Sequence, residues 1–171
     1  MDIHGFFILL EDSGLSRWVR ESPSLLAFPT IIALHAIGMG LLVGANAAMD
    51  FRILGFASGV PISSLERLVP VMRFGFWLNA ISGLLLLLAY PTKALTNPVF
   101  YTKIFLIVCA MVDVFLVRTE VIQENRGEDS LVSNRAKVLA IASLFLWAGA
   151  VVAGRLLAYT YLFIDASFEK Y

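Results

Sequence analysis

His35 lies in the middle of the apolar run LLAFPTIIALHAIGMGLLVGANAAM, positions 25 to 49. A neutral imidazole at that depth suits haem iron, copper or zinc as a ligand, a quinone as a contact, or a neighbouring helix as a hydrogen-bonding partner. Met39 follows one helical turn later and adds a soft thioether, so His35 and Met39 form a candidate metal pair that favours Cu(I). Helical spacing also places Gly38, Leu42 and Asn46 on the stripe that carries His35. Arg155, in VVAGRLLAYTY, cannot deprotonate and must find a carboxylate, a carbonyl or an anion such as a cofactor propionate. Its alternative is to snorkel outward beside Tyr159, Tyr161 and Phe163. His35, Arg155, Asn46 and Trp147 make up the candidate cofactor-binding set.

Each chemistry has a requirement the chain must meet. A b-haem with two axial imidazoles needs a second histidine, and the only other one is His4 in the N-terminal segment. Met111, a five-coordinate iron, or two His35 rings meeting across a homodimer axis are the other routes. Copper would recruit Met49 or Cys109. Asp113, in the third apolar run, is protonated, paired with a group such as Arg73 or Asn79, or open to a water-filled vestibule. Without a bound group, His35 hydrogen-bonds across helices, with Asn79 and Asp113 as its polar candidates.

The elements that hold these residues are membrane spans. With 59% hydrophobic and 15% charged residues and a mean hydropathy of +0.82, the 171-residue chain is far more apolar than a soluble domain of its size. Four segments, about 25–49, 69–90, 100–117 and 137–163, are long enough to cross the roughly 30 Å hydrocarbon layer. Residues 1–23 are too short and too charged to span. Phe6, Phe7, Leu10, Leu15, Trp18 and Val19 recur there at helical spacing and predict an amphipathic helix in the interface. The fold class expected is therefore all-α, a single transmembrane domain built as a four-helix bundle with a short N-terminal interfacial helix. A stripe of small residues in the first span, Ala36, Gly40, Gly44 and Ala48, predicts a seam for close packing within the protein or for self-association.

Several classes of function are excluded. The 13 basic and 13 acidic residues balance and lie mostly between the apolar runs, so no basic face for nucleic acid exists. The lone Cys109 supports neither a disulfide framework nor a thiolate cluster. No phosphate loop, HExxH, CxxC or nucleophile-base-acid set occurs, and no catalytic residue is assigned. The N-terminus lacks the basic region of a cleaved signal peptide. Seven Lys or Arg residues fall in or beside the two loops joining the first span to the second and the third to the fourth, against five on the opposite side. That asymmetry predicts both termini outside.

The stretches RESPSLLAFPTIIALHAIGMGLLVGANAAMDFRILG, FWLNAISGLLLLLAYPTKALTNPVFYTKIFLI and LWAGAVVAGRLLAY resemble a family of small, uncharacterised bacterial four-helix inner-membrane proteins. The likeness rests on the histidine of the first span, a D-x-R-x-x-G exit (Asp50, Arg52, Gly55) and a GR pair in the last span (Gly154, Arg155). Copper-resistance D-type domains and the membrane subunits of b-type cytochromes are similar more loosely. Some family members carry a histidine where this chain reads Val117 and Arg118, a departure that weakens bis-histidine haem ligation here. The resemblance implies a multi-pass protein of the bacterial inner membrane with periplasmic termini, and no established activity. The function expected is a non-catalytic membrane subunit or cofactor carrier, a b-haem or quinone-linked electron relay centred on His35. The alternatives are a small-solute or copper transporter and an architectural subunit of a homo-oligomer or larger membrane complex.

Overall fold

Proline and serine set where several helices begin. In the computed structural model, which describes residues 7, 9–124 and 132–168, Pro91 and Pro98 open helices, a position where the missing N–H costs nothing. Ser13 and Ser133 cap two others by accepting the N–H of Ser16 and Ala136. The elements in order are α1 (Gly14–Glu21), α2 (Phe28–Ile53), a 3₁₀ turn (Ile62–Arg67), α3 (Leu68–Ala89), α4 (Pro91–Leu95), α5 (Pro98–Glu124) and α6 (Asn134–Phe168). The fold is all-α, and no strand occurs among the described residues.

Four of these helices, over Phe28–Ile53, Ser64–Ala89, Pro98–Glu120 and Asn134–Thr160, are long and apolar enough to cross a bilayer. At about 1.5 Å per residue the 26 residues of α2 extend about 39 Å. Between 11% and 33% of each apolar window is buried inside the protein. Large side chains such as Ile37, Phe74, Phe105, Phe115 and Phe145 face outward. Water would penalise such a surface heavily, whereas lipid is its natural solvent. The chain is a multi-pass membrane protein.

The helices overrun the spans expected from hydropathy. Asp50, Phe51, Arg52 and Ile53 continue α2, and residues 118–124 continue α5, because a helix satisfies its own backbone and ends where capping stops it rather than where polarity rises. The stop of α2 is a Schellman turn. Phe56 N–H donates to Phe51 O at 3.0 Å and Gly55 N–H to Arg52 O at 3.1 Å, with Gly55 at φ +100°. PTKALTNP, between the second and third expected spans, contains α4.

The chain packs as two compact units, Met1–Leu42 with Pro70–Pro98, and Val43–Val69 with Val99–Tyr171. In the first, α1 docks through Ser16 and Val19. The Ser16 hydroxyl donates to Ala89 O at 3.3 Å, and Val19 packs with Ile31, Ala89, Phe28 and Leu85. Leu15 and Trp18 stay exposed on the other face of this amphipathic helix. Its predicted start, including His4 and Phe6, lies outside the described residues. In the second unit Ile53, Val117, Ala136 and Ala140 form an apolar layer flanked by Leu54, Val132 and Leu139.

The packing seam expected within the protein is corrected. Ala36, Gly40, Gly44 and Ala48 are all exposed, and a Cβ on Gly40 or Gly44 would meet nothing within 4 Å. Close approach occurs instead at Gly38 and Gly75. A Cβ on Gly38 would stand 2.6 Å from Asn79 N, and one on Gly75 2.7 Å from Leu42 N. Spacing alone finds small residues but not the face that meets a neighbour.

Candidate functional site

In the first unit α2 presents His35 to α3. Its Nδ1 lies 3.1 Å from Asn79 O and 3.1 Å from Ser82 Oγ, while the Asn79 amide donates to His35 O at 2.8 Å. Ser82 has one proton, and its 2.6 Å bond to Leu78 O uses it. The Ser82 oxygen therefore accepts, and with two acceptors at 3.1 Å the hydrogen is assigned to Nδ1, although the Asn79 amide nitrogen also stands 3.3 Å from it. The ring is seated over Gly83, where a Cβ would come within 3.0 Å of Cε1. Of the two polar partners expected for His35, Asn79 is the one found.

Met39 is half-buried one turn along α2. Among the described residues no group of three His, Cys, Asp or Glu side chains converges as a metal centre. Arg155, placed with His35 in the candidate cofactor set, is exposed in the second unit. It donates to the Tyr159 hydroxyl at 3.2 Å and sits 5.1 Å from that ring's centroid. This is the arrangement of an arginine reaching along a helix toward an interfacial aromatic.

Asn46 and Trp147 belong to a different constellation, in the second unit. Asn46 Nδ2 donates to Asp50 Oδ2 and to Ser143 Oγ, both at 2.7 Å. The Ser143 hydroxyl is within hydrogen-bonding reach of Asp50, whose carboxylate thus collects two neutral donors. Asp113 of α5 is near enough for its charge to be felt at Asp50. One turn beyond Ser143 on α6, Trp147 is 2% exposed. Asp113 Oδ2 and Trp147 Nε1 are buried with no hydrogen-bond partner among the described residues. Asn46, Asp50, Asp113 and Ser143 are all buried as well.

This cluster is enclosed. One turn on from its members, toward the end of α2, come Ile53, Val117 and Ala140 of the apolar layer. In the opposite direction the next buried positions are Ala45, Ala110 and Ala150. Two buried carboxylates attract a positive charge or a proton and repel anions. Asp50 and Ser143 were absent from the expected site. Asp50 falls just past the first expected span, although its spacing of four from Asn46 in an apolar helix is the signal that would have found it.

Comparison with protein-family models, characterised proteins and solved structures returned no match.

Proposed function

We propose that this protein, a member of the bacterial inner-membrane family it resembles, carries a small solute across the bilayer through the polar cluster of its second unit. The observation that carries this reading is the pair Asp50 and Asp113, buried between apolar layers in a helical unit that faces lipid. Desolvated carboxylates cost several kcal/mol each, and ionisable groups kept inside spans mark substrate or ion pathways. Both termini face the periplasm in this reading, which the excess of Lys and Arg on the opposite side supports. His35 then acts as an interhelical clamp. The test is flux in proteoliposomes with the protein inserted. Uptake of protons or alkali ions, followed with internal dyes, is expected above empty vesicles and lost in Asp50→Asn. Permeability equal to empty vesicles for these ions and for a panel of small neutral solutes rejects transport.

A second reading, a cofactor carrier, is favoured by one detail of His35. An Nδ1–H held by a backbone carbonyl is the arrangement that orients ligating imidazoles and presents Nε2 to a metal. Among the described residues His35 is the single histidine, so one chain supplies one imidazole from these residues to a haem. A Soret band with a reduced α-band that disappears in His35→Ala supports this reading, and a featureless visible spectrum from haem-sufficient cells removes haem.

A further inference from the structure

We infer that Asp50 and Asp113 together hold one compact cation, an alkali-metal ion or a proton, in the buried polar cluster of the second unit. The inference rests on the reading of this cluster as a transport site and names what occupies it.

The sign and number of the charge follow from the partners. Asp50 is bonded by neutral donors from Asn46 and Ser143, whereas Asp113 Oδ2 is buried and bonded by nothing among the described residues. Three arginines of the surrounding elements are turned elsewhere. Arg52 of α2 donates to the carbonyls of Ser58 and Val60, Arg118 of α5 is exposed, and Arg135 of α6 is exposed beside Glu120 at 3.8 Å. Two negative charges in a low dielectric, one of them stabilised by hydrogen bonds, leave a demand for one positive charge.

Trp147 adds a second observation. Its Nε1–H is a buried donor without a partner among the described residues, on a side chain 2% exposed, and Asp113 Oδ2 is a buried acceptor without one in the same unit. The indole N–H needs an acceptor and the carboxylate oxygen a donor or a cation, and a water bound to an alkali ion keeps one lone pair to accept with and two hydrogens to donate. This also makes the indole a reporter.

The chain has three tryptophans, and Trp18 and Trp77 are both exposed, so Trp18→Phe with Trp77→Phe leaves Trp147 as the sole indole. The full-length protein in detergent is titrated with NaCl, LiCl and KCl against a choline chloride balance, and separately with acid. A saturable, single-site change in Trp147 emission with Na⁺ or Li⁺ identifies an alkali ion. A change driven by acid and blind to alkali ions identifies a proton. Either response is expected to vanish in Asp113→Asn with helicity unchanged. Emission indifferent to all four, or an identical response in Asp113→Asn, overturns the inference. A hydrophobic carbodiimide, read by peptide mass mapping, tests the protein without an aspartate variant. Modification of Asp50 or Asp113 that alkali ion or raised pH suppresses supports the site, and modification unaffected by both refutes it. If these probes are blind while Asp50→Asn still abolishes flux, the cation is wrong and the transport reading stands.

Discussion

Asn46 and Asp50 form one hydrogen-bonded pair, with Asn46 Nδ2 2.7 Å from Asp50 Oδ2 one turn along α2, and the same nitrogen reaches Ser143 of α6. An asparagine in an apolar helix is thereby bound to an acid at the helix end and to a second helix. The pair fixes what α2 presents to α6.

Removing the asparagine should leave the acid buried with fewer donors. Asn46→Leu is expected to destabilise the protein by about 1–3 kcal/mol, the cost of an unsatisfied buried acceptor. In an Asp50→Asn background the same substitution should cost less, since the charge that required the donor is gone. A double-mutant cycle by chemical unfolding in micelles measures this. Equal costs in the two backgrounds would show that the contact has no energetic weight.

Four glycines of α2 and α3 should separate by sign. Gly38→Ala and Gly75→Ala drive a methyl into the facing backbone, at 2.6 Å and 2.7 Å, and should cost about 1–3 kcal/mol. Gly40→Ala and Gly44→Ala meet nothing within 4 Å and remove a poor helix former, so each should gain up to about 1 kcal/mol. Thermal melting in detergent reads both sets. Losses at Gly40 and Gly44 would mean instead that their exposed face is covered by another chain.

What the sequence made legible follows from how each feature is encoded. Span existence depends on summed apolar area, which a window of residues states directly, so four spans and an all-α fold were readable. Helix ends depend on backbone capping, and Gly55 shows its meaning only once Phe51 and Phe56 are seen to close the turn. The polar stripe of α2 was readable, but not that His35 meets Asn79 while Asn46 meets Ser143, because a stripe carries no record of its neighbours. Arg155 shows the same gap. Its charge demanded a partner, and the nearer Tyr159 on its own helix supplied one.

His35 and Asn79 should be coupled by an energy typical of interhelical hydrogen bonds in membranes, about 0.6 kcal/mol and no more than about 1.7. A cycle of His35→Leu and Asn79→Leu measures that coupling. Gly83→Ala should be harmful with His35 present, because its methyl would sit 3.0 Å from the ring, and benign in His35→Ala. Harm that persists after the ring is removed would place the constraint elsewhere on α3.

The turn after α2 permits a test with two opposite substitutions two residues apart. Gly55 at φ +100° occupies a conformation that penalises any Cβ, whereas Ala57 at φ 58° already bears that penalty. Gly55→Ala should therefore destabilise the protein by about 1 kcal/mol or more, and Ala57→Gly should be neutral or stabilising despite its added chain entropy in the unfolded state. Arg52 supplies a second restraint, since its guanidinium spans from the last turn of α2 to the carbonyls of Ser58 and Val60. Arg52→Met keeps most of the side chain's apolar length and removes those bonds. Limited proteolysis between residues 55 and 61 should accelerate in Arg52→Met and in Gly55→Ala, and slow or stay unchanged in Ala57→Gly. Because Asp50 lies within the same final turns of α2, Gly55→Ala should also weaken its bond to Asn46, which the infrared carboxylate stretch of Asp50 would report as a shift absent from Ala57→Gly.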